Sequence, residues 1–198
     1  MDHILNALPA RHGHFRLESG YHTDLWLNLD ALFLSPRDIA PQVAALAGLL
    51  QAYEPTAICG PLLGGAFLAQ AIASHLGARF YFCQPAPTDT ANRLFAAQYQ
   101  LPPDLRQRVR NERVAVVDDV ISAGSSVRAT AAALDAAGAA TIVVGCLLLL
   151  GDKAVEHFTG RGVPLASLGR RAFNLWMPDQ CPLCMAGGPI EDPMTGTP

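Results

Sequence analysis

The chain has 198 residues, with 14 lysines and arginines against 17 aspartates and glutamates, a net charge of −3 and a pI near 6.0. This acidic balance argues against general binding to nucleic acid or to an anionic membrane surface. Hydrophobic residues make up 51% and charged residues 16%, which is typical of a globular protein and excludes a disordered one. The length suits one α/β domain with modest additions.

The sequence also indicates the compartment. No apolar run approaches the roughly 20 residues that span a membrane, and the N-terminus lacks the basic and then apolar layout of a signal peptide. We therefore expect a cytoplasmic protein with no membrane partner. In that reducing setting the five cysteines need not pair.

Strand and helix patterns alternate through the middle of the chain. The predicted elements, in order, are a helix over 38–53, a strand over 57–59, a helix over 64–76, a strand over 79–83, a strand over 114–117, a helix over 127–137 and a strand over 141–150. Such alternation predicts an α/β fold with a doubly wound, mostly parallel sheet.

The remaining segments lack a clear period. Residues 1–37 are mixed and rich in histidine, and residues 84–110 form a proline-rich excursion of the kind that makes lids or binding loops. The part after residue 150 reads as loop-rich. We divide the chain into an N-terminal segment (1–37), a core (38–172) and a tail (173–198).

The most informative motif begins with the predicted strand at Val114. Asp118 and Asp119 end this strand, and the small-residue turn Ser122-Ala123-Gly124-Ser125-Ser126 leads into the next helix. Backbone N–H groups and hydroxyls at a helix start hold an anion. Carboxylates repel phosphate but suit sugar hydroxyls, or a divalent ion that already carries phosphate oxygens. The run therefore indicates a phosphorylated sugar; a polar turn with an aspartate capping the helix is the plainer alternative.

This run resembles the phosphoribosyl pyrophosphate (PRPP) signature of type I phosphoribosyltransferases. The resemblance implies that Ser122 to Ser126 hold the 5′-phosphate and that Asp118 and Asp119, as the catalytic pair, face the ribose hydroxyls. It also implies the family's sheet with a small N-terminal hood-like element. Magnesium would be bound chiefly through PRPP oxygens and waters.

A second strand-to-helix turn, Gly60-Pro61-Leu62-Leu63-Gly64-Gly65, is rich in glycine and has no acid. Its N–H groups can hold a phosphate-rich group, although Gly-Pro turns also serve structural roles. The resembling family binds pyrophosphate with a loop in this position. Pro61, Leu62, Leu63 and Gly64 are therefore the predicted pyrophosphate site, and backbone dipoles suit a chain whose only lysine is Lys153.

The N-terminal segment resembles the opening of orotate phosphoribosyltransferases, whose Phe-x-Leu-x-Ser-Gly element matches residues 15–20. The resemblance implies that Trp26 or Leu25 lies against the base, unless they are ordinary core residues. Lys153 falls near the family's base-recognising arginine. It either pairs with an acidic base such as orotate or is an exposed residue at a helix start.

Two departures from the family concern positive charge. Glu18 replaces a lysine, and the lysine of the family's mobile loop is absent. A missing cation there costs several kcal/mol of transition-state stabilisation, or about 10²–10³ in rate. Arginines could substitute or could be solvated surface residues; the candidates are Arg93, Arg106, Arg108 and Arg110.

These observations favour a magnesium-dependent phosphoribosyltransferase that joins PRPP to a nucleobase, with orotate as the expected acceptor, in pyrimidine nucleotide synthesis. Another acceptor base is one alternative, and a PRPP- or nucleotide-binding regulator that has lost catalysis is another. The acidic balance disfavours an RNA-binding regulator. A homodimer is expected because the family's loop acts across subunits.

The tail contains Cys181-Pro182-Leu183-Cys184, which has the spacing of half a zinc site. No second pair stands nearby in the sequence. A redox pair, a metal half-site completed across a dimer and a structural turn therefore remain open. His14 and His22 have no partner identifiable from the sequence, so we assign no metal ligands.

Overall fold

The computed structural model describes residues 10–17, 19–29, 32–86 and 98–193. The strands are β1 Ala10–Arg16, β2 His22–Leu27, β3 Ala57–Pro61, β4 Arg79–Pro85, β5 Tyr99–Gln100, β6 Arg113–Ile121, β7 Ala140–Leu150 and β8 Leu165–Arg171. The helices are α1 Pro36–Gln51, α2 Gly64–Leu76, α3 Pro103–Arg106, α4 Ser125–Ala136, α5 Lys153–Thr159 and α6 Pro182–Met185.

A six-stranded sheet in the order β5-β4-β3-β6-β7-β8 forms the centre of the fold. Neighbouring strands are parallel except for the short edge strand β5, which is antiparallel to β4. The predicted α/β fold with a doubly wound, mostly parallel sheet is confirmed.

The sheet is covered on both faces, as the apolar strands predict. Successive side chains of β6 alternate between the faces: Val114 and Val116 pack in the core with α4 and α5, whereas Ala115 and Val117 pack in the core with α1 and α2. All four side chains are fully buried. The β-branched run therefore forms the central strand of the molecule.

Most of the predicted helices and strands are present, with ends that differ by a few residues. The predicted end of α2 is confirmed, since Gly77 caps it in the left-handed conformation with φ 66°. The prediction that the part after residue 150 is loop-rich is wrong for 153–171, where α5 and β8 form. The residues of β8 are mostly half-buried and show no clear alternation, so this edge strand left no periodic signal.

The N-terminal segment contributes an antiparallel hairpin of β1 and β2, for which the sequence predicted no elements. Leu25 and Leu27 of this hairpin pack with Leu148 and Leu150 of β7. The tail pairs with both hairpin strands, because residues around Glu191 bond to β1 and Trp176 bonds to His22. The hairpin therefore depends on partners distant in sequence. None of the helices in the described ranges is long and apolar enough to cross a membrane.

The order of the strands places the functional loops. From the centre of the sheet the chain winds outward through β3 and β4 on one side, and through β6, β7 and β8 on the other. The winding reverses between β3 and β6. In open α/β sheets ligands bind at such a switch point, beyond the carboxyl ends of the strands. Both predicted loops follow these two strands.

Candidate active site

Asp118 and Asp119 lie within β6, which extends four residues beyond the predicted strand, to Ile121. The N–H of Asp119 donates to Oδ1 of Asp118 at 3.1 Å, and the hydroxyl of Ser126 donates to Oδ2 at 2.9 Å. Burial, and then the charge of Asp119, raise the pKa of Asp118 well above its usual value. The carboxyl groups of Asp118 and Asp119 are thus buried next to each other near the carboxyl end of β6.

The turn after β6 is the one that the sequence predicted to hold an anion. Gly124 adopts the left-handed conformation with φ 79° and precedes α4, so the N–H groups of the first helical turn have no partner within the helix. The hydroxyl of Ser125 is buried and bonds to no other group in the described parts of the chain. A Cβ on Gly124 would lie 2.9 Å from Cβ of Ala154, so α5 closes one side of the turn.

The second loop packs directly against the acidic pair. A Cβ on Gly64 would lie 2.1 Å from Oδ2 of Asp119, and a Cβ on Gly65 would lie 2.7 Å from Oδ1 of Asp118. A Cβ on Gly60 would lie 2.0 Å from the backbone oxygen of Gly65. From the sequence, the role predicted for these glycines was to leave the backbone N–H groups of the turn accessible to a ligand. The structure adds that side chains there would separate the two loops.

Both loops open onto one cavity of about 380 Å³. It is lined by all of the residues predicted for the two phosphate groups and by the acidic pair. The hairpin side contributes Trp26 and Ser19, and the segment after β8 contributes Phe173. The residues that line it are Leu17, Ser19, Leu25 to Leu29, Pro61 to Gly64, Tyr99, Asp118 to Ser126, Leu150 and Phe173.

Trp26 and Lys153, the two residues predicted to contact the base, lie in different surroundings. Trp26 is half-buried in the cavity wall, with its ring centroid 6.4 Å from that of Phe15. Lys153 is the first residue of α5 and does not line the cavity. Its ammonium lies 3.9 Å from the centroid of the Tyr21 ring, a cation–π contact.

Sequence reasoning did not identify Phe173 and Tyr99 as cavity residues. Phe173 follows the edge strand β8, and Tyr99 begins the two-residue strand β5. Neither residue belongs to a motif, so no local signal pointed to them. Only the packing of distant segments brings them to the cavity.

The positively charged candidates lie elsewhere. The guanidinium of Arg106 donates to the backbone oxygen of Leu101 and to Oε1 of Gln100, both at 3.2 Å. Arg110 lies beside Gly138, at the amino end of the sheet and opposite the site. Arg108 is likewise absent from the described lining, which contains no lysine or arginine. Glu18 and Arg93 lie outside the described residues.

His14 and His22 do have partners, which corrects the expectation from the sequence. Nε2 of His14 lies 3.3 Å from Nδ1 of His22, 3.4 Å from Sγ of Cys181 and 3.6 Å from Sγ of Cys184. The four residues form one cluster at the junction of the hairpin and the tail. The sequence missed it because its two halves are more than 150 residues apart.

Comparison with known proteins identifies the class. Residues 38–159 match the family model of the phosphoribosyl transferase domain. Because this match covers more than half of the chain, the protein belongs to the phosphoribosyltransferase family. In fold it resembles the crystal structure of orotate phosphoribosyltransferase from Aeropyrum pernix, with a TM-score of 0.61, 23% identity and coverage of 81% of this chain and 87% of that one.

The orotate branch is indicated by a relative of higher identity. The chain is 32% identical to the orotate phosphoribosyltransferase of Thermotoga maritima, over 91% of this chain and 89% of the relative. The protein is therefore a type I phosphoribosyltransferase of the orotate-like kind. Its fold also resembles the Mycobacterium tuberculosis orotate phosphoribosyltransferase in complex with PRPP, with a TM-score of 0.56, 20% identity and coverage of 73% and 80%.

Proposed function

We propose that this protein transfers the phosphoribosyl group of PRPP to orotate, giving orotidine 5′-monophosphate and pyrophosphate in pyrimidine nucleotide synthesis. The observation that carries the proposal is that the two strand-to-helix loops and the acidic pair share one cavity with Trp26. Such a cavity fits a molecule with a phosphate at one end, a pyrophosphate at the other and a ribose between them.

Each part of the cavity has a role in this reaction. The turn from Ser122 to Ser126 binds the 5′-phosphate, and Asp118 and Asp119 accept hydrogen bonds from the ribose hydroxyls. The loop from Pro61 to Gly64 binds the leaving pyrophosphate. The bond from C1′ to the pyrophosphate oxygen breaks, and a ring nitrogen of the base bonds to C1′. Positioning of both reactants lowers the barrier without a covalent nucleophile.

Magnesium fits this donor set. The cavity offers the buried carboxyl oxygens of Asp118 and Asp119, and burial and then the charge of Asp119 raise the pKa of Asp118. Hard oxygen donors beside phosphate groups are the ligands that magnesium prefers. When bound through PRPP it would neutralise charge on the departing pyrophosphate, with Asp118 or Asp119 interacting through water.

Trp26 supplies the surface against which a flat base can lie, and Lys153 supplies positive charge for an acidic base. The contact of the Lys153 ammonium with the Tyr21 ring holds this charge near the hairpin that carries Trp26. Tyr21 is buried, so the pair has a defined position. We expect orotate to be favoured over uracil, which lacks the carboxylate.

The proposed function is tested by supplying orotate, PRPP and magnesium together and following orotate consumption by absorbance. Turnover with orotate, and none with uracil or adenine, is the expected result. Loss of turnover when magnesium is omitted would support the metal requirement. PRPP binding by calorimetry without turnover on any base would instead identify a regulatory protein that has lost catalysis, an alternative favoured by the absence of basic residues from the described lining.

Replacing Lys153 with methionine is expected to raise the KM for orotate about 10- to 100-fold, because a charge-assisted contact contributes about 1.5–3 kcal/mol. The KM for PRPP should stay within a factor of about two, since the ammonium of Lys153 lies at the Tyr21 ring and Lys153 does not line the cavity with the two loops. Lys153→Arg, which keeps the charge, is the matched control and should retain most of the affinity. An unchanged KM for orotate in Lys153→Met would show that Lys153 does not bind the base.

We also propose that the protein is a homodimer. An apolar patch consists of the half-buried Phe33 and the exposed Leu34, Leu63 and Phe67, and the rings of Phe33 and Phe67 are 5.8 Å apart. Leu34 is 80% exposed and Leu63 is 68% exposed. Contiguous apolar surface of this kind marks protein interfaces, and Leu63 belongs to the pyrophosphate loop. A second copy on this patch would therefore border the active site.

Phe67→Glu should convert the dimer to a monomer, measured by light scattering, because a charge at the centre of the patch would be buried without a partner. Leu49→Glu changes another exposed apolar residue, on α1, and should leave the dimer intact. A wild-type monomer at micromolar concentration would contradict the proposal.

We place the protein in the cytoplasm, which is supported by the free thiols of Cys59, Cys83 and Cys146 in the parallel strands. We further propose that different segments of the chain bind the base and PRPP. The described parts of 1–37 and 173–198 pair with each other, which supports their acting together at the base end of the cavity, while 38–172 binds PRPP.

A further inference from the structure

We propose that His14, His22, Cys181 and Cys184 bind a structural zinc ion that fastens the tail of the chain to the N-terminal hairpin. The four side chains, called here the His/Cys cluster, each offer one ligand atom, and all four atoms lie within 4.8 Å of one another. Two imidazoles and two thiolates are a common donor set of structural zinc sites.

The distances agree with a tetrahedral ion. Zinc binds nitrogen at about 2.0–2.1 Å and sulfur at about 2.3 Å, so tetrahedral geometry places two nitrogens about 3.3 Å apart and a nitrogen and a sulfur about 3.6 Å apart. The observed separation of the nitrogens of His14 and His22 is 3.3 Å. Three of the four nitrogen–sulfur separations are 3.4, 3.6 and 3.3 Å, and all four ligand atoms lie within 4.8 Å of one another.

The hydrogen bonding of His14 fixes which of its nitrogens faces the cluster. Nδ1 lies 3.1 Å from the backbone oxygen of Gly188. A carbonyl oxygen only accepts, so Nδ1 of the neutral ring carries the proton and Nε2 presents a lone pair to the cluster. Histidines that bind metals commonly donate their other N–H to a backbone carbonyl in this way, which orients the ring.

Hydrogen bonds alone do not account for the cluster. The single lone pair on Nε2 of His14 faces His22, Cys181 and Cys184 at once. One lone pair accepts one good hydrogen bond, so at most one of these three neighbours can be satisfied there. A cation at the centre would instead accept a lone pair from each of the four ligand atoms. His14, His22 and Cys181 are buried, and Cys184 is exposed, which gives a metal a route of entry.

Hydrogen bonds and ion pairs around the His/Cys cluster join the tail to β1. The N–H of Arg16 donates to the backbone oxygen of Glu191 at 2.9 Å, and the N–H of Glu191 donates to the backbone oxygen of His14 at 2.8 Å. Ion pairs from Arg11 to Glu191 and from Arg16 to Asp192 flank this pairing. These exposed pairs contribute little by themselves. The metal would supply most of the energy that keeps the tail in place.

The site bears on the acceptor end of the cavity. Ser19, which lines the cavity, lies in the turn between His14 and His22, and Trp26 lies further along β2. Phe173 lines the cavity on the segment that leads to Cys181. Zinc would therefore hold together the two segments that form this end of the cavity. The metal assignment itself does not depend on the proposed reaction.

Metal analysis of the untagged protein, purified under reducing conditions from zinc-supplemented cells, tests the proposal. We expect about one zinc per chain. After removal of zinc, added cobalt(II) should give the visible absorption of a tetrahedral ion with thiolate ligands. A metal-free protein that binds neither zinc nor cobalt, or a disulfide between Cys181 and Cys184 in protein purified without reductant, would overturn it. Another resident metal would overturn the assignment to zinc.

Variants locate the ion. Cys184→Ser and His14→Asn should lose at least about 10-fold in zinc affinity and melt at a lower temperature than the zinc-loaded wild type. His12→Gln changes an exposed histidine on the same strand, and Cys146→Ala removes a thiol from β7; both should keep the metal. If the cluster variants fail to fold, the cobalt(II) spectrum of the wild-type protein still tests whether a tetrahedral metal site with thiolate ligands is present. Retention of stoichiometric zinc by Cys184→Ser would overturn the assigned ligands.

Discussion

Gly60→Ala is expected to destabilise the protein by about 3 kcal/mol and to abolish phosphoribosyl transfer. The new Cβ would lie 2.0 Å from the backbone oxygen and 2.2 Å from the carbonyl carbon of Gly65. These are main-chain atoms at the start of α2 and cannot rotate away, so the helix would have to shift and the loop with it. Because Gly64 and Gly65 contact Asp119 and Asp118, that shift would also move the acidic pair.

The matched control is Gly48→Ala on α1. Gly48 is exposed, and nothing lies within 4 Å of the position of its Cβ. Alanine there should stabilise the helix by roughly 0.5–1 kcal/mol and leave activity unchanged. Denaturant unfolding followed by circular dichroism measures both variants, beside the orotate assay. A Gly60→Ala protein with the stability of the wild type would show that the close packing of the two loops is incorrect.

Asp118→Asn is expected to make the ligand-free protein more stable and much less active. Burial disfavours the charged carboxylate of Asp118, and the neighbouring Asp119 adds to this effect, so the pKa of Asp118 is raised. The amide removes this penalty and can still accept from the N–H of Asp119 and donate to the hydroxyl of Ser126. Loss of a charged acceptor for a ribose hydroxyl, worth about 1.5–3 kcal/mol, should lower kcat/KM about 10- to 100-fold.

The sign of the pH dependence follows from the raised pKa. The folded protein holds the proton of Asp118 more tightly than the unfolded chain does, so this residue contributes full stability only below the ordinary pKa of aspartate. That contribution is lost as the pH rises from there through the pKa in the folded protein. The stability gained by Asp118→Asn should therefore be present near neutral pH and disappear in acid.

Thermal melts across that pH range, without ligand, measure the effect. Asp104→Asn, which changes an exposed carboxylate in α3, is the control and should show little dependence of this kind. Stabilisation that persists unchanged in acid would mean that the amide acts through packing and that the charge of Asp118 is not its source. Such a gain in stability with a loss of activity is the usual mark of a functional residue kept in an unfavourable state.

Local patterns in the sequence were sufficient to predict the strand-to-helix turns and the acidic pair of the cavity. The apolar run from Val114 and the turn from Ser122 to Ser126 each lie within a few residues, and a parallel α/β sheet brings the ends of adjacent strands together. The predicted members of both loops accordingly line one cavity. The reason is that these residues depend on their neighbours in the chain for their conformation.

The acceptor end was less predictable. The hairpin of β1 and β2 carries histidines and glycines that obscure its alternation, and its partners are in the tail. Lys153 and Trp26 were predicted to contact one base, yet Lys153 lies over Tyr21 while Trp26 lines the cavity. The position of a flexible lysine side chain depends on the groups that surround it in the folded protein. For Lys153 that group is Tyr21, which is distant in sequence and could not be predicted from the residues that flank Lys153.

By itself the sequence determined the α/β sheet, the two loops and the acidic pair, because period, turn composition and strand ends are properties of consecutive residues. Only the tertiary structure decided that Gly60, Gly64 and Gly65 are needed for close packing of those loops. It also brought the Cys-x-x-Cys element to His14 and His22. Ligand atoms contributed from opposite ends of the chain meet only after folding, because contact between them depends on the path of the backbone and not on spacing in the sequence.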